Sequence, residues 1–86
     1  PVVAAAEALF QEGVALQNAG RLDEACAKLD ESFKLDPAGS SAFALGTCLE
    51  AKGQIASAWA RYQSALQYAL RRNRPDKANE VRAKID

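Results

Sequence analysis

The residues of this chain with the clearest chemical potential are its two cysteines, Cys26 and Cys48, because the sequence contains no histidine. Histidine is the commonest general base and a frequent metal ligand, so its absence leaves little for acid–base catalysis. Two thiols alone are also too few for a zinc site. The cysteines can form a disulfide, or they can remain two separate reduced residues in the core. Both interpretations stay open from the sequence, and we expect no metal site.

Acidic pairs are the other candidates for catalysis. Asp23 and Glu24 are adjacent in the sequence, as are Asp30 and Glu31. Adjacent residues of a helix point in different directions, so neither pair is expected to converge on one substrate atom. The glycines are spaced for helix ends and helix packing, and not for a loop that would hold a phosphate. We therefore expect no enzymatic activity and no cofactor.

The charges exclude further classes of partner. Lysine and arginine together number 11, as do aspartate and glutamate, so the net charge is zero. Arg71, Arg72 and Arg74 form a basic cluster that suits the carbonyl end of a helix. Nucleic-acid binding is the less favoured interpretation of this cluster, because nucleic-acid-binding proteins usually carry a basic excess. Every apolar run is broken by charge well before the roughly 20 residues that cross a membrane, so we expect no membrane insertion. The start of the chain lacks a basic leader and is interrupted by Glu7, which argues against a signal peptide.

Five helices are predicted to position these residues, because small and apolar residues recur at helical spacing. Gly20 and Gly53 are expected to end the first and third helices. Pro37 is expected to stop the second, since the residue before a proline is pushed out of the helical region. After an unstructured lead-in of three residues, the predicted helices cover about 4–18, 22–35, 41–52, 54–72 and 75–85.

The first two helices recur in the next two. The shift along the chain that places Gly13 on Gly46 also places Ala25 on Ala58. The other matched pairs include Phe10 with Phe43, Leu16 with Leu49, Gly20 with Gly53, Leu22 with Ile55, and Leu29 with Tyr62. The matched positions are the small and apolar ones, which is typical of a structural repeat with a constrained core. We expect Gly13 to let the paired helix approach closely at Ala25.

This pattern resembles the tetratricopeptide repeat, which runs Trp-x2-Leu-Gly-x2-Tyr, then Ala-x3-Phe, then Pro. The first copy matches it at Leu9, Glu12, Gly13, Leu16, Ala25, Leu29 and Pro37. The second copy matches it at Ala42, Leu45, Gly46, Leu49, Ala58 and Tyr62. Two positions depart from the pattern: Glu12 stands at an apolar family position, and Leu70 stands where the second copy should close with proline.

The resemblance implies an all-α fold of antiparallel helix-turn-helix repeats, stacked as a short right-handed α-solenoid of about five helices. Repeat 1 would cover about 6–38, repeat 2 about 39–72, and a capping helix about 75–86, all within one domain. In this arrangement the second helix stacks on the third, which would make Cys26 and Cys48 near neighbours. Trp59, one residue after Ala58, is expected to pack in the core or against the fifth helix, in preference to forming a ligand platform.

The resemblance also implies a function, namely a protein-interaction module or scaffold that binds a peptide or helix in a short concave groove. The first helix of each repeat would line this groove with Phe10, Val14, Gln17, Phe43, Thr47 and Glu50. An alternative for Phe10 and Phe43 is that both rings simply complete the core. The family's carboxylate-binding variant uses Lys and Asn or Arg at such positions, so capture of a peptide carboxyl terminus is not expected here.

The alternative function is a structural or oligomerisation module. A homodimer would then form through Ala4, Ala5, Ala8 and Val14 of the first helix. The resemblance further suggests a bacterial envelope or signalling context, with cytoplasmic and exported locations both left open.

Overall fold

The computed structural model describes residues 1–85, which form five α-helices. These are α1, Val2–Asn18; α2, Leu22–Leu35; α3, Gly39–Ala51; α4, Ile55–Arg71; and α5, Pro75–Ile85. No strand occurs among residues 1–85. The all-α fold is therefore confirmed. Asp86, the last residue of the predicted capping helix, lies outside the described residues.

The predicted unstructured lead-in is wrong, because α1 begins at Val2. The Ala5 N–H donates a hydrogen bond to the Pro1 carbonyl at 2.9 Å, which adds a turn to the start of the helix. Proline suits this place, since the first backbone N–H groups of a helix have no intrahelical partner in any case.

Three of the four connections between helices use the same tight turn. Gly20, Gly53 and Asn73 adopt positive φ angles of 80°, 82° and 55°, a conformation that glycine and asparagine tolerate best. After each of them, a backbone N–H donates to a carbonyl five residues earlier at 2.9 Å; the donor–acceptor pairs are Arg21–Leu16, Gln54–Leu49 and Arg74–Ala69. These bonds satisfy carbonyl groups that the end of a helix leaves free. Leu70 does not stop α4, which continues to Arg71 and is ended by the turn at Asn73.

Glycines set the distance within each helix pair. A Cβ atom at Gly13 of α1 would lie 2.6 Å from Leu29 Cγ and 3.3 Å from the Ala25 carbonyl oxygen of α2. A Cβ atom at Gly46 of α3 would lie 2.7 Å from the Tyr62 ring of α4. Since any side chain would collide at these distances, glycine is what permits the close approach. Leu29, more than Ala25, is the residue that occupies the space beside Gly13.

Helices that follow one another in the chain pack against one another, from α1 with α2 through to α4 with α5, and α1 also touches α3. Packing of this kind fits a helical solenoid. One buried cluster joins α2 and α3 and consists of Ala25, Cys26, Leu29, Leu45 and Cys48. A second joins α3, α4 and α5 and consists of Ala42, Ala58, Tyr62, Ala65 and Val81. Phe33 and Leu49 contact both clusters, which makes the core continuous.

Candidate functional site

A cavity of about 450 Å³ opens between α1, α3, α4 and α5, and we call it the groove pocket. It lies where the first turns of α3 and α5 meet the middle of α1 and the end of α4. Its lining residues are Phe10, Ala38, Gly39, Ser40, Phe43, Ala44, Ala65, Tyr68, Ala69, Arg72, Arg74, Lys77, Glu80 and Val81. The pocket therefore combines an apolar floor with charged side chains from the α4–α5 corner.

Phe10 and Phe43 are half-buried and line the groove pocket from α1 and α3. Phe10 also packs against the first buried cluster, and Phe43 packs against the second. The Phe43 ring centroid lies 5.7 Å from that of Tyr62, with the planes tilted by 53°. Each phenylalanine thus contributes to the core and to the wall of the cavity at the same time.

Three other residues of the predicted groove set form a second feature, which we call the polar strip: Gln17, Thr47 and Glu50. Gln17 Nε2 donates a hydrogen bond to Thr47 Oγ1 at 3.2 Å and so links α1 to α3. Glu50 Oε1 accepts a hydrogen bond from the Tyr62 hydroxyl at 2.6 Å. Burial, together with this bond to a carboxylate, raises the pKa of Tyr62 above its usual range.

The predicted groove set therefore divides in the structure. The polar strip lies in the second halves of α1 and α3, whereas Phe10 and Phe43 lie beside the groove pocket. Val14, between Phe10 and Gln17 on α1, packs against the first buried cluster. The strip and Val14 do not line the pocket, so only the two phenylalanines are shared between the predicted groove and the cavity.

The sequence analysis missed the contribution of α4 and α5 to this site. Tyr68 and Arg72 line the groove pocket from α4 and its end, and Arg74 and Lys77 line it from the first turn of α5. The sequence did contain an indication for Lys77. The shift that places Gly13 on Gly46 also places Ala44, another lining residue, on Lys77. The sequence analysis explained the basic cluster by the dipole at the carbonyl end of a helix. That explanation does not predict that the cluster borders a cavity.

Two cationic side chains at the start of α5, Arg74 just before it and Lys77 in its first turn, have acidic neighbours. Arg74 Nε lies 3.5 Å from Asp76 Oδ1, and Lys77 Nζ lies 3.8 Å from Glu80 Oε2. The hydrogen bond from Arg74 lowers the pKa of the Asp76 carboxyl below its usual value. All four side chains are more than half exposed, so these ion pairs add little to the stability of the fold.

Cys26 of α2 and Cys48 of α3 are both buried, and the structure joins their sulfur atoms. Their Cα atoms are 5.7 Å apart, a separation that suits a disulfide. The bond connects the first helix pair to the second within the first buried cluster.

The prediction for Trp59 is wrong, because half of its surface is exposed on α4. The buried stripe of that helix runs through Ala58, Tyr62, Ala65 and Ala69, and one residue of helix turns the side chain about 100° away from it. Ile55 and Leu70 are exposed on the same helix, at 60% and 47%. The outer surface of α4 is therefore partly apolar.

The family model of the tetratricopeptide repeat matches residues 6–38. Residues 6–38 form a tetratricopeptide repeat. This repeat contains Phe10, Val14 and Gln17 together with the Gly13–Leu29 contact. Tetratricopeptide repeats generally mediate protein–protein interactions or scaffolding and are not catalytic modules. No curated protein and no solved structure shows a significant match to the chain.

Two further features are absent from residues 1–85. Within that part of the chain, no helix combines the length and the apolar character needed to cross a membrane. No cluster of three or more histidine, cysteine, aspartate or glutamate side chains in the same residues is placed to hold a metal ion.

Proposed function

We propose that this chain is a protein-interaction module that binds an extended peptide or a helix of another protein in the groove between α1, α3 and α5. The observation that carries the proposal is the groove pocket, where Phe10 and Phe43 border a cavity of about 450 Å³. An apolar side chain placed there would be removed from water, which is worth about 25 cal/mol per Å² of apolar surface. Concave surfaces of this kind are the usual binding surfaces of helical repeats.

The groove is formed before any partner arrives. Gly13 and Gly46 hold each helix pair in close contact, and we further propose that the Cys26–Cys48 disulfide holds the two pairs together. We also propose that residues 39–72 form a second repeat and that the helix from Pro75 caps the stack. A rigid groove limits the conformational entropy that is lost on binding, although we expect the affinity of so short a groove to be weak.

Binding, and not catalysis, is the activity we propose. The tetratricopeptide repeat is a binding module, and the chain has no histidine. The polar strip supports the same proposal, because Gln17 and Glu50 can offer an amide and a carboxylate to the backbone of a bound segment.

Photo-crosslinking tests this proposal. A benzoylphenylalanine replaces either Ser40, an exposed residue that lines the groove pocket, or Gln67, an exposed residue of α4 outside it. We expect the probe at position 40 to capture a partner in the native cells and the probe at position 67 not to capture that partner. Adding Phe10→Ala and Phe43→Ala should abolish capture from position 40. Because both rings also contribute to the core, circular dichroism must show that this variant is folded, and Phe10→Leu with Phe43→Leu, which keeps apolar side chains there, should weaken capture as well. Equal capture from both positions would contradict a groove site.

Self-association is the second candidate function, and a separate observation favours it. Val2 and Val3 of α1 are exposed at 54% and 68%, and Ile55 and Trp59 of α4 at 60% and 50%. A second copy of the chain would cover such apolar surface. Sedimentation velocity separates the two functions: a stable dimer that is lost in Trp59→Gln or Val3→Gln supports self-association, and a monomer at all concentrations excludes it.

A further inference from the structure

The rim of the groove pocket carries a local excess of positive charge. Arg72, Arg74 and Lys77 line the pocket, and Glu80 is the acidic residue beside them. Arg71 adds a fourth cation nearby, with its guanidinium carbon 5.5 Å from the centre of the Tyr68 ring that lines the pocket. Even with Asp76 included, four cations face two carboxylates. The chain as a whole is neutral, so this end of the groove differs in charge from the rest.

The acidic residues of the chain pair only weakly with the cations of this rim. Arg74 and Lys77 meet Asp76 and Glu80 only at 3.5 and 3.8 Å, and the four side chains are more than half exposed. Exposed ion pairs of this kind stabilise a fold very little. The carboxylates of an incoming partner can therefore take their place at small cost.

The floor beneath these cations is apolar. Phe10 and Phe43 border it, and Val81 reaches it from α5. The opposite end of the groove carries the polar strip, with the exposed carboxylate of Glu50. A partner segment thus meets an apolar floor beneath a basic rim at one end, and an acidic residue at the other.

We infer that the groove pocket binds an acidic peptide segment that carries one apolar side chain. The apolar side chain occupies the floor between Phe10 and Phe43, and the neighbouring carboxylates pair with Arg74 and Lys77. Complementary charge increases the rate of encounter and excludes basic segments. This inference rests on the proposed function and adds to it the charge of the partner.

A random library of 12-residue peptides tests the inference when it is displayed on phage and selected against the intact chain. We expect the recovered peptides to share one aromatic or leucine residue flanked by aspartate or glutamate. A recovered peptide, labelled with fluorescein, is then titrated with the chain. Its affinity should fall at least threefold between 50 and 300 mM NaCl, because salt screens exposed charges.

Two pairs of charge reversals identify the cations involved. Arg74→Glu with Lys77→Glu should weaken binding of the acidic peptide at least tenfold. Arg82→Glu with Lys84→Glu is the matched control, because it makes the same charge change on the same exposed helix, away from the groove pocket. The control should stay within twofold of the unmodified chain, and circular dichroism should show that both variants are folded.

The outcomes separate the inference from the proposed function. Selection of neutral or basic apolar peptides whose binding is lost in Phe10→Ala with Phe43→Ala would overturn the inference and leave the groove site intact. Selection of peptides that are insensitive to both the phenylalanine pair and the arginine–lysine pair would overturn both. The selection could also recover no peptide, while the chain binds a single-stranded oligonucleotide through Arg74 and Lys77. This result would overturn both the inference and the proposed function.

Discussion

The first helix pair, α1 with α2, and the second, α3 with α4, meet the same packing requirement with different side chains. Leu29 and Tyr62 stand at corresponding positions of the two copies, and each lies against the glycine of its own pair. The space that a Cβ at Gly13 would need is taken by Leu29, and the space at Gly46 is taken by the Tyr62 ring. The position therefore requires a large side chain beside a glycine and does not fix its chemical type.

The difference lies in what the far end of each side chain does. Leu29 is wholly enclosed, with no exposed surface. Tyr62 is nearly as buried, but its hydroxyl reaches Glu50 and its ring packs beside Phe43. In the second pair, the central core residue is thus bonded directly to the polar strip. The comparison shows how two helix pairs can share the same packing while one of them connects its core residue to the polar strip.

A second difference is a buried hydrogen bond that the first pair makes and the second pair lacks. Ser32 Oγ in the first pair donates a hydrogen bond to the Ala6 carbonyl at 2.7 Å. The corresponding residues of the second pair are Ala65 and Gly39, and a side chain of alanine cannot donate this bond. The first pair is therefore tied by a buried polar contact at the end where the second relies on small residues.

The largest effect is expected from Leu29→Ala, which leaves a cavity at the most enclosed point of the first pair. Truncation of a fully buried leucine typically costs about 2–5 kcal/mol, and we expect about 4 kcal/mol here. Urea unfolding followed by circular dichroism measures this loss. Leu35→Ala, at a residue that is 44% exposed on the same helix, is the control and should change stability by less than about 0.5 kcal/mol. A loss below about 1 kcal/mol for Leu29→Ala would show that the first pair does not depend on this contact.

Reduction of the disulfide should have the next largest effect, because Cys26–Cys48 connects the two pairs across a sequence separation of 22. Closing a loop of that length removes entropy from the unfolded chain worth about 3 kcal/mol. We expect urea unfolding with and without a phosphine reductant to differ by about this amount. The variant Cys26→Ser with Cys48→Ser should not respond to the reductant. An unmodified chain that is equally indifferent would mean that the two pairs are joined by packing alone.

Adding one methyl group at each central glycine compares the two contacts directly. Gly13→Ala and Gly46→Ala should each gain helix propensity of about 1 kcal/mol and lose more through overpacking, which costs about 1–3 kcal/mol. We expect a net loss of up to about 2 kcal/mol in each case, measured by thermal unfolding. Gly39→Ala is the matched control, since its nearest contact would be an ordinary 3.4 Å from Tyr68 Cβ. A Gly46→Ala variant that is more stable than the unmodified chain would show that the Tyr62 ring yields easily.

Much of this fold was predictable because local rules determine it. Gly20, Gly53 and Pro37 end their helices for reasons of backbone conformation. The internal repeat of the sequence also makes the Gly46–Tyr62 contact a copy of the contact between Gly13 and Leu29. Trp59 was not predictable with the same rules, because helical spacing alone does not show which neighbouring faces have a helix to cover them.

The candidate site was harder to predict, since it depends on helices that are distant in sequence. Phe10 and Phe43 were expected in a groove, but the charged rim comes from Arg74 and Lys77, which follow the two recognised copies. Whether a side chain such as Lys77 borders a cavity depends on how α5 is placed against α3 and α4. The break near Asn73 and the apolar face that includes Val81 both follow from the sequence pattern, but the pattern does not give the angle at which α5 packs on its neighbours.

The smallest expected effect distinguishes the two pairs most sharply. Tyr62→Phe keeps the ring beside Gly46 and removes only the hydrogen bond to Glu50, so it makes the second pair resemble the first. We expect a loss of about 1 kcal/mol at pH 7, which is typical of a hydrogen bond in a folded protein. Leu29, the corresponding residue of the first pair, makes no polar contact, so the first pair has no hydrogen bond of this kind to remove.

The pH dependence of this loss gives an independent measurement. Because the pKa of Tyr62 is raised in the folded chain, the unfolded chain releases its phenolic proton first, near a pH of about 10. The contribution of the hydroxyl is therefore complete below that pH and is lost as the pH rises towards the folded-state pKa. The difference between the unmodified chain and Tyr62→Phe should shrink between pH 9 and pH 11. A difference that stays constant over this range would mean that neither burial nor the bond to Glu50 raises the pKa of Tyr62 in the folded chain, and Tyr62 would then not distinguish the second pair from the first through its hydroxyl.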